Sequence, residues 1–244
     1  MKETIIVEQL CKAYHGIPAI KDLNISVHQG EVFGLLGENG AGKSTTIECM
    51  LGTKHADGGT VTVLGMNPIK DRRTLFERVG VQFQEANYPD KITVSELCRE
   101  TQSFYKDATD YTQLLIQFGL SEKVKSPVNE LSGGQKQRLF IVLALIPNPE
   151  VVFLDELTTG LDTKARREVW KCLTGLKENG MTIFLTSHFM DEVEALCDRI
   201  AILKNGEIIF NGTVNEAVKA SPYDNMEDAY LWFTDEEGIK HESI

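Results

Sequence analysis

Hydrophobic and polar residues alternate near the N-terminus of the chain. The segments TIIVEQLCKAY and LNISVHQG have the period of two that is typical of strands with one exposed face. GTVTVLGMNP has a similar pattern and is bounded by DGG and NP, which favour turns. The N-terminal part of the chain is therefore predicted to form an antiparallel β flank.

Three later segments are almost continuously apolar: EVFGLLG, VVFLDE and TIFLTSH. Short runs of this kind are typical of parallel strands that are buried on both faces of a sheet. KSTTIECMLG and KARREVWKCLTGLKENG predict helices between these strands. RIAILKNGEIIFNG predicts a hairpin with Asn205 and Gly206 at its turn. The pattern indicates an α/β fold with a mostly parallel sheet.

The middle of the chain has helical rather than strand patterns. TVSELCRETQSFY, YTQLLIQFG and QKQRLFIVLALI each predict a helix. We therefore predict one domain over residues 1–244. Its core and β flank come from residues 1–84 and 151–244, and a helical subdomain is inserted at about 85–150. A further helix is predicted at MEDAYLWF near the C-terminus.

Composition changes this picture mainly by exclusion. The formal net charge is −11, and this argues against a general nucleic-acid-binding protein, which would carry a basic surface. The five cysteines are scattered and never form a CxxC pair, so neither a disulfide framework nor a zinc site is expected. The longest apolar run, Leu139 to Ile146, is too short to span a bilayer, and the first residues do not resemble a signal peptide.

A phosphate-binding motif, GENGAGKS, occupies residues 37–44 and stands between a predicted strand and a predicted helix. Its glycines allow backbone amides from about Asn39 to Thr45 to surround a phosphate at the helix N-terminus. Lys43 is expected to bridge the β- and γ-phosphates, and the Ser44 hydroxyl to bind Mg²⁺.

Acidic residues and a histidine follow two of the buried strands. Asp155 ends VVFLD and is a candidate to hold Mg²⁺ or its water, and the adjacent Glu156 is a candidate base for an attacking water. His188 follows TIFLTS, and ligands bind at this edge of such sheets. HFMDE contains no further histidine or cysteine, so we exclude a zinc site there.

The segment LSGGQ, Leu131–Gln135, is a second site with the features of an anion cradle. A serine and two glycines at a predicted helix start expose backbone N–H groups that suit a γ-phosphate. The simpler alternative is a helix cap with a glycine pair. We call this stretch the signature segment.

The motifs resemble, in kind and order, those of the ATP-binding-cassette ATPases. The match runs from Tyr14 to NMEDAYLWFT and includes FQE, LSGGQ, FLDE, TTGLD and TSH. The chain looks like the nucleotide-binding subunit of an ABC transporter, most like the drug- and antibiotic-exporting type, to which FQE and EVEALCDRIAIL are similar. The resemblance implies a P-loop NTPase core with the β flank and helical insert described above, and an ATPase with ATP and Mg²⁺ as cofactors.

The resemblance also implies roles for individual residues. Tyr14 would stack on adenine, Gln84 would contact Mg²⁺ and report to the helical insert, Asp162 would cross a dimer interface, and His188 would hold the γ-phosphate. Lys43, Gln84, Glu156 and His188 form the implied catalytic set, and Ser44, Gln84 and Asp155 the implied metal set. The nucleotide would be bound by Tyr14, Gly37, Glu38, Asn39, Gly40, Ala41, Gly42, Lys43, Ser44 and Thr45, with Ser132, Gly133, Gly134, Gln135 and Asp162 acting from the partner chain.

In this family two cassettes bind ATP head to tail, which explains why one chain has two phosphate cradles. The implied partners are a second cassette, identical or different, and a membrane-spanning permease at the cytoplasmic face of the membrane. One departure is Leu157, where the family usually has proline. Two alternatives are a soluble cassette ATPase without a transporter and a nucleotide-binding switch that does not turn over.

Overall fold

The computed structural model describes residues 2–82 and 88–235. Its strands form two sheets, a three-stranded one of order β2-β1-β4 and a six-stranded one of order β5-β6-β7-β3-β8-β9. The strands are β1 (Glu3–Tyr14), β2 (Ile17–His28), β3 (Val32–Leu36), β4 (Gly58–Val63), β5 (Val79–Gln82), β6 (Val151–Asp155), β7 (Thr182–Ser187), β8 (Arg199–Lys204) and β9 (Glu207–Thr213).

The smaller sheet is the predicted antiparallel flank, because β1 pairs antiparallel with both β2 and β4. In the larger sheet β5, β6, β7, β3 and β8 are parallel, as the continuous apolar sequences of β3, β6 and β7 predict for those three strands. Among the described strand pairs of this sheet, β8 with β9 is the antiparallel one. The turn between them is Asn205-Gly206, and both residues have the positive φ that this hairpin requires.

The helices connect the strands and cover the larger sheet. Several begin at a polar cap, for example α3 at Thr93, whose side chain and that of Glu96 form a capping box. The helices are α1 (Lys43–Met50), α2 (Arg72–Phe76), α3 (Val94–Ser103), α4 (Tyr111–Gln117), α5 (Gly133–Leu145), α6 (Thr163–Glu178), α7 (Met190–Leu196), α8 (Val214–Ala220) and α9 (Met226–Thr234). Strand β5 and helices α2, α7 and α8 are not predicted by the sequence patterns, and each has seven residues or fewer.

Each face of the larger sheet is buried against a different layer. One face contributes Phe33, Phe153 and Phe184 to the core that it shares with the smaller sheet. The other face contributes residues such as Val152 and Leu185 to a core shared with helices α3 to α6. The helical segment and the parallel sheet therefore have a common core. Among the described helices, none combines the length and the apolar character that crossing a bilayer requires.

The first prediction concerns the aromatic stack between the sheets. Phe184 is fully buried, and its ring centroid lies 5.7 Å from that of Phe33 and 5.5 Å from that of Phe153. Phe184→Ala should lower the free energy of unfolding by about 3–5 kcal/mol, because a cavity replaces the ring. Phe104→Ala removes a ring that is 75% exposed and should change it by less than about 0.5 kcal/mol. Urea unfolding measures both, and equal effects would contradict the packing described.

Candidate functional site

The phosphate-binding motif forms the loop between β3 and α1. Gly42 precedes α1 with φ 111°, and a Cβ atom there would lie 2.6 Å from the carbonyl oxygen of Ala19, so only glycine fits. The amide of Ala41 donates to the carbonyl oxygen of Glu38 at 3.1 Å. That amide is engaged inside the loop, although the motif predicts phosphate contacts for the backbone amides from about Asn39 to Thr45.

The ammonium group of Lys43 lies inside this loop. It donates to the carbonyl oxygens of Gly37 at 2.8 Å and Glu38 at 3.1 Å, and it pairs with Oε1 of Glu156 at 3.2 Å. The side chain of Lys43 is only 4% exposed and that of Glu156 only 8%. The ion pair thus joins the loop after β3 to the residue after β6 in a place with little access to water.

Asp155 and Glu156 are held by the neighbouring strand. Asp155 pairs with Thr186 in the parallel register of β6 and β7, and Oγ1 of Thr186 donates to Oδ1 of Asp155 at 2.6 Å. The same hydroxyl oxygen accepts the backbone N–H of Glu156 at 2.9 Å. Glu156 itself has φ 48°, a left-handed conformation that a residue with a long side chain adopts only under constraint. Thr186 supplies part of that constraint.

His188 follows β7 and faces the same group. Its Nδ1 lies 3.9 Å from Oε1 of Glu156, which is beyond hydrogen-bond distance. This nitrogen is buried, and it has no hydrogen-bond partner in the part of the chain that the structure describes. The imidazole ring packs against Phe189, with 4.1 Å between the ring centroids. The site therefore contains a buried ring nitrogen beside Glu156, in a side chain that lines the cleft described next.

An open cleft of about 520 Å³ connects these groups. It is bordered by the phosphate loop and α1 on one side, and by Glu156, Thr159 and His188 on the other. Its lining also includes Ala19 and, at one end, Tyr14. The cleft brings most of the predicted phosphate-loop residues together with Glu156, His188 and Tyr14. The lining residues are Tyr14, Ala19, Asn39, Gly40, Gly42, Lys43, Ser44, Thr45, Glu156, Thr159 and His188.

Tyr14 ends β1 and has a ring that is partly exposed. The ammonium groups of Lys12 and Lys54 lie 5.5 Å and 5.3 Å from its ring centroid. Lys54 has a raised pKa, chiefly because it hydrogen-bonds to Glu48 and also to Tyr14, so it stays charged beside the ring. The two cations hold an aromatic surface at the mouth of the cleft.

The signature segment does not line this cleft. Ser132 caps α5 by accepting the N–H of Gln135 at 3.3 Å, and the Gln135 side chain accepts the N–H of Ser132 at 3.0 Å. A Cβ atom at Gly134 would lie 2.8 Å from Cβ of Ala165. Capping and close packing within the chain therefore account for the serine, the glutamine and Gly134 without any second molecule.

Asp162 lies close to the signature segment in the fold. Its side chain caps α6 by accepting the N–H of Ala165 at 2.9 Å. A Cβ atom at Gly133 would lie 3.3 Å from Leu161, the residue before it. Leu157, which replaces the proline expected from the resemblance, is buried in the core shared with the helices. The loop between Glu156 and Asp162 is thus fastened at both ends.

The site offers few oxygen donors, and these suit a hard cation that completes its coordination with ligands from outside the protein. Asp155 and Ser44 supply a carboxylate and a hydroxyl, which are ligands that Mg²⁺ accepts. Across residues 2–82 and 88–235, no group of three or more His, Cys, Asp or Glu residues could hold a metal without help. Gln84, the third predicted metal ligand and a predicted catalytic residue, lies outside the described residues.

Sequence reasoning missed Thr186, Thr159 and Ala19. Thr186 stands within TIFLTSH, but its role depends on which strand lies beside β7 and in what register. With that pairing in hand, a threonine opposite Asp155 would have been a recognisable partner. Ala19 and Thr159 line the cleft only because of the chain path, and nothing in their sequence neighbourhood indicates this.

The comparisons with known proteins agree on one family. The family model described as ABC transporter matches residues 20–159. The Nod factor export ATP-binding protein I of Burkholderia orbicola is 39% identical over 86% of this chain and 70% of its own length. The fluoroquinolones export ATP-binding protein of Mycobacterium tuberculosis is 40% identical over 79% of this chain and 64% of its own. Against the curated relatives, the chain spans between 58% and 72% of their length.

Solved structures give the same result. The ATP-binding subunit of an ABC transporter has a TM-score of 0.85 at 26% identity, over 95% of this chain and 100% of the other. A dimeric bacterial ABC transporter cassette has a TM-score of 0.77 at 26% identity, over 86% of this chain and 98% of the other. The family match, the phosphate loop and the acidic strand end at one cleft agree: this chain belongs to the ABC transporter family and is one of its ATP-hydrolysing, ATP-binding cassettes.

Proposed function

We propose that this chain powers an ABC exporter by ATP-driven dimerisation on a separate membrane-spanning permease. The proposal rests on the separate positions of the two phosphate-binding segments, the phosphate loop and the signature segment. Lys43, Glu156 and His188 meet at one cleft, whereas the signature segment lies outside it. A second cassette is then the source of the signature segment that closes each cleft, as in a two-fold dimer.

Within one cleft, the bound nucleotide is ATP. Tyr14 stacks on the base, and the loop amides and Lys43 bind the phosphates. Ser44, Asp155 and Gln84 are the residues that would hold Mg²⁺, which would neutralise phosphate charge. The carboxylate of Glu156 is 3.2 Å from the Lys43 ammonium, so phosphate oxygens and Glu156 share one cation.

Hydrolysis needs a water that is oriented and partly deprotonated near the terminal phosphate. Glu156 is the base for that water, and the Thr186 hydroxyl fixes the backbone of Glu156 by accepting its N–H. His188 donates from its ring, in a side chain that is 33% exposed, to the γ-phosphate. Catalysis in this arrangement is positioning and electrostatics rather than covalent chemistry.

In the dimer, Ser132, Gly133, Gly134 and Gln135 bind the γ-phosphate of the partner's ATP, and Asp162 crosses the interface. The N-terminus of α5, with its partial positive charge, is the physical basis for this. The capping box uses one lone pair of the Ser132 hydroxyl and leaves its proton for a phosphate oxygen. The dimeric cassette found among the solved structures supports this arrangement.

The cargo and the membrane location are also proposals. Two relatives are named for export of Nod factor and of fluoroquinolones, and this favours an exporter at the cytoplasmic face of the cell membrane. Isolating the chain from membranes and identifying the spanning protein that accompanies it tests the permease; recovery without any membrane protein would favour the alternative of a soluble cassette ATPase.

The second prediction concerns Lys43. Lys43→Ala removes the ammonium that faces both the loop carbonyls and the phosphate site, so ATP affinity should fall at least about 100-fold, or roughly 2.7 kcal/mol. Titration with a fluorescent ATP analogue measures it, with circular dichroism to verify the fold. An affinity within about threefold of wild type would sink the assignment of the phosphate loop.

The third prediction separates catalysis from stability at the two ends of β7. Thr186→Val keeps the side-chain shape but removes the hydroxyl between Asp155 and Glu156, so ATP turnover should fall about tenfold or more. Thr182→Val is the matched control, since Thr182 accepts the N–H of Gly30 at the opposite end of the strand. Both variants should lose about 1–2 kcal/mol of stability, but only the first should lose turnover. Equal turnover in the two would contradict the role of Thr186.

The fourth prediction tests the composite site. Glu156→Gln keeps the shape but removes the base, so it should bind ATP and accumulate as a dimer in size-exclusion chromatography. Adding Ser132→Arg should return it to monomer, because the larger side chain fills the space for the partner's phosphate. Mixing Lys43→Ala chains with Ser132→Arg chains should restore part of the ATPase activity, since one intact composite site can form.

Lys43→Ala chains alone and Ser132→Arg chains alone form no intact site, so each variant by itself is the control for the mixture. If Ser132→Arg alone kept full ATPase activity, and Glu156→Gln showed no ATP-dependent change in size, the signature segment would be a helix cap only. That outcome would favour the capping and packing explanation given by the capping box and by Gly134. Steady-state phosphate release by the wild type would also exclude the alternative of a nucleotide-binding switch that does not turn over.

A further inference from the structure

A glutamate that the proposed mechanism does not use lies next to the site. Glu192 belongs to α7 and is only 3% exposed. Its Oε2 accepts from the hydroxyl of Ser187 at 2.5 Å, and its Oε1 accepts from Nε1 of Trp170 at 3.1 Å. The side chain of Thr158 lies beside this carboxyl group. One buried carboxyl thus accepts hydrogen bonds from β7 and α6 and adjoins the loop after Glu156.

Ser187 connects this carboxyl group to the turn that contains His188. Its O–H group donates to Glu192, and its oxygen accepts the backbone N–H of Phe189 at 3.0 Å. The two residues bonded through this hydroxyl, Ser187 and Phe189, are those that flank His188 in the chain. The Ser187 hydroxyl has one proton. Because it donates this proton in the hydrogen bond to Glu192, its lone pairs are directed to the N–H of Phe189. The turn that carries His188 is therefore fixed from both sides.

Stability alone does not explain the glutamate. Burial raises the pKa of Glu192, and the neighbouring donors, Ser187 first among them, only partly oppose this, so the charged form is costly at this place. A buried charge of this kind adds little net stability compared with an apolar residue of the same volume. The neighbouring cation, Arg166, pairs instead with Asp191 at 3.2 Å and stacks on the Phe189 ring. Glu192 is held by neutral donors.

We propose that Glu192 is a positioning residue that sets the orientation of His188 through Ser187 and ties it to the loop following Glu156. The inference rests on the proposed contact of His188 with the γ-phosphate. The same carboxyl group also contacts Thr158, in the loop before Asp162, and Trp170, in helix α6 after Asp162. A shift of α6 relative to β7 therefore moves His188 against the nucleotide.

The experiment is a mutant cycle on the ATPase. Glu192→Gln keeps the volume but has only one acceptor oxygen. With that oxygen on the indole N–H of Trp170, the NH2 group faces the Ser187 hydroxyl and cannot accept its proton. Turnover should fall about tenfold, while the affinity for a fluorescent ATP analogue stays within about twofold, since no phosphate-loop contact is altered. Ser187→Ala should have the same effect, and combining the two should lower turnover no further.

Two controls make the result specific. Glu194→Gln is the same change on the same helix, at an exposed carboxylate that contacts Met226 of α9 instead, and it should keep wild-type turnover. In a Trp232→Phe background the remaining tryptophan is Trp170, whose emission should shift in Glu192→Gln and not in Glu194→Gln. Melting temperatures show whether any variant loses turnover through unfolding.

The decisive comparison uses His188→Ala. If Glu192 acts through His188, adding Glu192→Gln to His188→Ala should not lower turnover beyond the single His188 variant. Wild-type turnover in Glu192→Gln, or additive losses in the double variant, would overturn the inference and leave the role of His188 standing. Wild-type turnover in His188→Ala would overturn the role of His188 itself, and this inference with it.

Discussion

The parallel register of β6, β7 and β3 is the constraint on which the site depends. Leu36 pairs with Ser187, and Asp155 pairs with Thr186, so the three strands end at the same level. The phosphate loop, the acidic pair and the histidine follow directly from those ends. A slip of one residue would turn Asp155 and Thr186 to opposite faces and separate their side chains. The burial of both faces of the sheet makes such a slip costly, so the hydrophobic core also fixes the geometry of the chemistry.

The parts of the fold that follow from local pattern could be predicted from the sequence. Continuous apolar runs indicate parallel strands because a sheet with helices or another sheet on both faces has no polar side. The phosphate loop and the acidic strand end carry their chemistry in contiguous residues. Contacts between distant segments could not be predicted in this way. Thr186 and Glu192 are ordinary residues whose roles arise from strand register and from the packing of α7 near α6. Strand β5 and helices α2, α7 and α8 are too short for a periodic pattern to identify.

The signature segment illustrates how one sequence can satisfy two demands. Within the chain, Ser132 and Gln135 cap α5, and Gly134 lets α5 approach Ala165 closely. The same features leave the N-terminus of α5 polar and without bulk, which an incoming phosphate requires. Local structure therefore cannot distinguish a cap from half of a binding site. The cleft favours the second possibility, because it has a lysine, a glutamate and a histidine but no contribution from the signature segment.

Charge burial at the strand ends shows that the site is arranged at some cost to stability. Lys43, Asp155 and Glu192 are each less than 5% exposed, and Glu156 combines burial with a left-handed backbone. Apolar residues would fill the same space with a smaller desolvation penalty. The hydrogen bonds from Thr186 and Ser187 limit that penalty and also fix directions, since each hydroxyl donates to a carboxylate and accepts a backbone N–H. Two adjacent residues at the end of β7 thereby hold the acidic strand end on one side and the histidine on the other. The rigidity of the site thus derives from a single strand end, and a movement of α6 or α7 that alters either hydroxyl would change both halves of the site together.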